Sequence, residues 1–167
     1  GEIEQFFATI KKYQEVKTQT VQVGDFIQFG LEMGRMSRFL REYESSIKYY
    51  NSSIEISKTN EYYSQLASAY YGLGLTYYSL EEHNKAVTNF SLALEIIENL
   101  RKTAKGSVRR DYLAKQISMY ENLSSSYLII GDYEGVFNSI ERSRAKLLAE
   151  QLAGSDSLVS IPDLSQV

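Results

Sequence analysis

At 167 residues, with 43% hydrophobic and 23% charged residues, the chain has the make-up of one folded domain or a short repeat array, not of a disordered segment. A net charge of −3 argues against a protein whose main task is to coat nucleic acid or acidic membrane, and the lack of cysteine excludes disulfides, thiolate nucleophiles and Cys-based metal sites within these residues. The one proline, Pro162, leaves residues 1–161 without a helix breaker; no apolar run approaches a membrane span and the first residues lack the layout of a signal peptide, so an all-α, cytoplasmic protein is expected.

Residues 2–22 read as a helix, with Ile3, Phe6, Phe7, Ile10 and Tyr13 on one broad face. Gly24-Asp25 then gives a stop and a fresh N-cap, Asp25 accepting from the first free backbone N–H groups of the next helix. The clearest pattern lies further on. Tyr70, Leu73, Gly74 and Tyr77 fall at i, i+3, i+4 and i+7, one stripe of a helix over residues 61–80. Gly74 sits in that stripe between large residues, where a second helix can approach closely. Ala86, Phe90, Ala93, Leu94 and Ile97 form the matching stripe of that second helix, over residues 84–101.

A weaker copy precedes this hairpin by 40 residues: Gly34 matches Gly74, Ser46 matches Ala86, Tyr50 matches Phe90 and Ser53 matches Ala93. A third copy follows by 50. There Tyr120, Leu123, Ser124 and Tyr127 repeat the first stripe, Gly131-Asp132-Tyr133 supplies the turn, and Val136, Ile140 and Ser143 stand in the second. The extra length falls in the segment 101–115, where Arg101, Lys102, Lys105, Arg109, Arg110 and Lys115 meet one Asp. Cations suit a helix C-terminus and Gly106-Ser107 offers a stop and restart, so a solvated connection is the first reading of this segment. A nucleic-acid-responsive sensor surface is the alternative. The expected architecture is an all-α, α-α superhelix of about three helical hairpins plus an N-terminal helix. Its domain spans 1–154, with repeats at about 25–58, 60–102 and 107–153, and residues 155–167 form a linker toward a domain not present in this chain.

The spacing aromatic-x2-Leu-Gly-x2-Tyr…Ala-x3-Phe at residues 70–90 resembles the tetratricopeptide repeat (TPR), a helix-turn-helix unit, with Tyr where that signature has Trp. Residues 141–153, ERSRAKLLAEQLA, look like the segment that closes the array in bacterial TPR-CHAT proteins, where the helices precede a caspase-like domain using a His and a Cys. The resemblance implies a non-catalytic scaffold for a protein or peptide partner, with intramolecular contact to a downstream domain as a further expectation. It carries over no catalytic residue, cofactor or metal, and any peptidase chemistry would lie beyond Val167.

In such arrays the first helices line a concave groove. Mapping that face through the repeats gives Leu31, Arg35, Arg38 and Phe39, then Ser68, Tyr71, Leu75 and Tyr78, then Ser118, Glu121, Ser125 and Leu128. Arg35, Arg38, Phe39, Tyr71, Tyr78 and Glu121 are the candidate partner-binding residues, since Arg and aromatic side chains offer large contact area with hydrogen bonding. The alternative for Tyr71 and Tyr78 is packing against neighbouring first helices. Of the positions a TPR subclass uses to grip C-terminal carboxylates, here Leu31, Arg35, Gly72, Ser68, Ser118 and Asn122, only Asn122 has the fitting residue type. The sole histidine, His83, takes the place of Tyr43 and Tyr133 and reads as a turn plug; Glu95 and Glu98 read as a solvated face.

Overall fold

The computed structural model describes residues 22–155, and among these it contains six helices and no strand. They are α1 (Val23–Phe39), α2 (Tyr43–Thr59), α3 (Tyr63–Ser79), α4 (His83–Thr103), α5 (Gly106–Ile129) and α6 (Tyr133–Ser155). The N-terminal helix expected over residues 2–22 and the linker after residue 155 lie outside the described residues. Consecutive helices pack as antiparallel hairpins, and α1 also touches α3, so the chain is an all-α superhelix of stacked hairpins.

Why the chain turns where it does follows from four matching corners. After α1, α2, α3 and α5 the backbone N–H of Glu42, Tyr62, Glu82 and Asp132 donates back to the carbonyl of Ser37, Ser57, Tyr77 and Tyr127, at 2.8, 2.9, 2.9 and 2.9 Å. This closure uses otherwise orphaned carbonyls and needs one left-handed residue just before the donor. Those residues are Arg41 (φ 64°), Glu61 (φ 59°), Glu81 (φ 61°) and Gly131 (φ 77°). Gly106 at φ 57° opens α5. The basic segment is absorbed by lengthening, since α4 and α5 run to 21 and 24 residues where the first three helices have 17.

Helix α1 begins before the expected place. Its N-cap is Gln22, and Asp25, in the first turn, reaches back so that its Oδ2 accepts from the Gln22 N–H at 3.1 Å. The carboxylate serves the same orphan donors and the same helix dipole from inside the helix, which lets Gly24 remain helical.

The core forms along the predicted stripes. Leu73, Ala86, Phe90, Ala93, Leu94 and Ile97 are buried together with Ile27, Tyr50, Leu66, Tyr70, Met119 and Tyr120. A Cβ added to Gly74 would lie 2.6 Å from Cδ1 of Phe90, so the glycine is where the ring enters. In the first hairpin the small positions are serines with satisfied hydroxyls: buried Ser46 Oγ donates to the Gly34 carbonyl at 2.8 Å and pairs with Thr76 Oγ1 at 2.9 Å, and Ser53 Oγ donates to the Tyr49 carbonyl at 3.0 Å.

Non-glycine residues in the left-handed region cost about 1–2 kcal/mol each, part of which glycine returns through its greater unfolded-state freedom. Glu81→Gly is expected to raise the unfolding free energy by about 0.5–1 kcal/mol, and Gly131→Ala to lower it by a similar amount. Urea denaturation of the two variants checks the pair; a loss of stability in Glu81→Gly contradicts the corner geometry.

Candidate functional site

The first helices α1 and α3 run side by side and leave a groove of about 280 Å3 between them, lined by Gln28, Leu31, Glu32, Arg35, Arg38, Tyr50, Ser68, Tyr71, Gly72 and Leu75. The floor is apolar because Leu31 and Gly72 are buried and Leu75 half-buried, and the edges are polar. Arg35 is exposed and its guanidinium pairs with Glu32 at 2.6 Å, a solvent-facing pair of small energy. Arg38 is half-buried with its Nε free of any partner among the described residues. Its charge acts on the Tyr50 phenol, whose pKa is raised chiefly by burial and pulled part of the way back by Arg38.

Tyr71 belongs to the groove and to the scaffold at once. Its Oη pairs with Ser118 Oγ at 3.0 Å and accepts from Asn122 Nδ2 at 2.8 Å, tying α3 to α5, and its ring lies 5.6 Å from that of Phe90. The packing expected as the alternative for this residue is present, and the same side chain lines the groove.

Of the six candidate residues, Arg35, Arg38 and Tyr71 come together in this groove. Phe39, Tyr78 and Glu121 do not line it. Phe39 is 82% exposed at the α1 corner, Glu121 is exposed on α5, and the Tyr78 ring packs edge-on against His83 at 5.1 Å and 75°. That contact gives His83, first residue of α4, the turn-plugging place expected of it, whereas Tyr133 in the equivalent position stands exposed. Glu32, Gln28 and Tyr50 line the groove without having been read as groove residues. Tyr50 carried a core signal, which is also true of it.

The basic segment is not one surface. Arg101 is drawn into the core at 8% exposure, Lys102 Nζ donates to Asn99 Oδ1 at 3.0 Å, and Lys115 stands over the Tyr112 ring at 5.8 Å.

A second polar centre replaces the expected solvated face at Glu98. Its side chain is 15% exposed and accepts from Tyr120 Oη at 2.6 Å, with Arg142 at 3.3 Å and Lys146 at 3.7 Å. Glu98 is not solvated because α6 brings two cations, Arg142 and Lys146, to a carboxylate that Tyr120 of α5 already covers. Burial first, then the hydrogen bond to Glu98 and its charge, push the Tyr120 pKa above 10.0. An acid whose pKa is raised by folding contributes stability that is complete below its unfolded value and is lost as pH rises past it. Stability should therefore fall above about pH 10, the ordinary tyrosine value, more steeply in the natural chain than in Tyr120→Phe. Equal slopes in pH-dependent denaturation would contradict this.

The hairpin stack and its groove define an α-solenoid of the kind that presents an extended inner surface. A tetratricopeptide-repeat family model matches residues 30–99. Over 88 residues the chain is 33% identical to "Response regulator aspartate phosphatase I" of Bacillus subtilis (strain 168), a match that covers 53% of this chain and 21% of that protein. Among solved structures, BtubC (BKLC) from P. vanneervenii superposes with a TM-score of 0.65 at 22% identity, over 75% of this chain and 48% of that one. The TPR domain of Arabidopsis FLU does so with a TM-score of 0.61 at 17% identity, over 77% and 99%. The fold is a tetratricopeptide-type array, and the chain spans about a fifth of the curated relative it matches. Among the described residues no helix is long and apolar enough to cross a membrane.

Proposed function

We propose that this array is a non-catalytic protein-interaction module of the cytoplasm whose α1/α3 groove takes an extended peptide segment of a partner. The observation that carries the reading is the convergence, from two neighbouring first helices, of an apolar floor at Leu31 and Leu75 with polar groups at Arg35, Arg38 and Tyr71. Such a floor supplies affinity, and a few placed donors fix orientation. TPR-type folds generally serve as interaction scaffolds, and the curated relative is by its name a protein acting on another protein. The likeness of residues 141–153 to the closing segment of TPR-CHAT proteins supports a narrower version, in which the array is the recognition or regulatory part of a larger CHAT-type protein that contacts a downstream domain.

Selection from a random peptide display library tests the groove directly. The enriched peptides should lose at least about tenfold in affinity against Arg35→Ala, which removes an exposed side chain and leaves the fold intact, and against Arg38→Ala. They should be indifferent to Arg109→Ala and Arg110→Ala. Loss of binding on the second pair with none on the first would move the site to the basic segment and overturn the groove; steep weakening with salt would accompany that outcome.

A further inference from the structure

Helix α6, the last of the described residues, is held to the array with little apolar burial. Tyr127 of α5 is seated on Gly135, where a Cβ would lie 2.6 Å from its Cδ1, Ser139 is buried, and Arg142 and Lys146 meet Glu98. Among the described residues no hydrophobic side chain of α6 joins the core. In α4, fifty residues earlier, Phe90, Leu94 and Ile97 are buried and α5 packs on that helix. The equivalent places in α6 are Ile140, Arg144 and Leu147, and all three are exposed.

The outward side of α6 carries Phe137, Glu141, Arg144 and Leu148 at i, i+4, i+7 and i+11, the alternating four-and-three spacing of a helix–helix seam. Phe137 is 65% exposed and Leu148 57%, with exposed Tyr133 and Ile140 bordering them. Large apolar side chains standing in water along one stripe mark a contact surface. Glu141 and Arg144 pair with each other at 3.2 Å, a solvent-facing contact of small energy that either can exchange for one to another chain.

The order along the seam points to its occupant. It reads apolar, acid, base, apolar, so an antiparallel second copy answers it residue for residue. Phe137 meets Leu148 of the second copy and Glu141 meets its Arg144, and the two-fold axis repeats both contacts. A slide of one heptad would set Phe137 against the second copy's Glu141 in one direction, and Arg144 against its Leu148 in the other. The charges therefore fix the register as well as the direction.

We propose that α6 is a homodimerisation surface, its occupant the α6 of a second copy packed antiparallel about a two-fold axis level with Arg142 and Ser143. At about 1.5 Å per residue its 23 residues give a strip about 34 Å long. One helix pair of that length offers less than the roughly 800 Å2 per partner of a standard stable complex, so association in the micromolar range follows. The α1/α3 groove lies at the other end of each array, and the dimer carries two of them.

Sedimentation velocity of the 167-residue chain from about 1 μM to about 500 μM tests this, and a reversible monomer–dimer equilibrium is expected. Glu141→Arg and Arg144→Glu each set like charges opposite one another twice, and each should weaken the dimer at least about tenfold. Both residues are exposed, so the fold is kept. Carrying both changes in one chain should restore the dimer, and mixing the two single variants should give a heterodimer that neither forms alone. A chain that stays monomeric throughout would assign the face to residues 156–167 or to a different protein and overturn the proposal. A dimer that survives both single changes, or one that the double change does not restore, would place the contact elsewhere and overturn it equally. Arg35→Ala should leave the equilibrium unchanged, so this test and that of the α1/α3 groove fail separately.

Discussion

The array depends on aromatic rings of second helices seated on glycines of first helices. The Tyr50 ring of α2 is held between two of them: a Cβ at Gly34 of α1 would lie 2.9–3.0 Å from its carbons, and one at Gly72 of α3 would lie closer still. Three helices thus meet on one side chain. Phe90 repeats the device on Gly74, with the Tyr71 ring tilted against it at 5.6 Å. Each glycine costs a helix interior roughly 0.5–1 kcal/mol relative to alanine, and burying the ring offsets this at about 1.5–3 kcal/mol. Because Tyr50 and Gly72 also line the α1/α3 groove, the packing that spaces the first helices is the packing that shapes the proposed site. In the third hairpin the device is gone. Ser124 stands where Gly74 does, its hydroxyl donating to the Tyr120 carbonyl at 2.8 Å, and Ile140, in the place of Phe90, is 43% exposed.

A fixed backbone register with variable occupants accounts for the surface as well. The same corner recurs with Arg41, Glu61, Glu81 and Gly131, the same tyrosine pair recurs over α3 and α5, and only the side chains around them change. Lys58 and Lys85 stand over the first pair. Where Glu98 and Gly135 stand instead, α6 is tied to α4 through a carboxylate and a cavity remains beside it. Repeat proteins can change surface chemistry this way because each hairpin needs only its neighbours for stability.

Much of the scaffold was legible because it is local. Tyr70, Gly74 and Tyr77 share a stripe set by helical period, and Ala86 with Phe90 answers it within one hairpin. The groove face followed from the same period at Leu31, Arg35, Arg38, Ser68, Tyr71 and Leu75. Phe39 and Tyr78 sit in the last turn of their helices, where the corner and not the neighbouring first helix decides what they touch, and Glu121 lies exposed on α5, outside the α1/α3 pair; none of the three lines this groove. Glu98 was not legible: its partners Tyr120 and Arg142 are 22 and 44 residues away on other helices, and no periodicity links them. The left-handed corners were visible only at Gly131, since Arg41, Glu61 and Glu81 are ordinary surface residues to any local pattern.

The seating of Tyr50 is open to a test of sign. In an ordinary helix interior Gly→Ala stabilises by about 1 kcal/mol. At Gly72 the ring has no room to retreat, because Gly34 holds its other side. Denaturant unfolding of Gly72→Ala should therefore give a loss of about 1–3 kcal/mol, and the same substitution in a Tyr50→Leu background should be neutral or stabilising. A gain of stability for Gly72→Ala with Tyr50 in place would contradict the interlock on which the array and its groove are built.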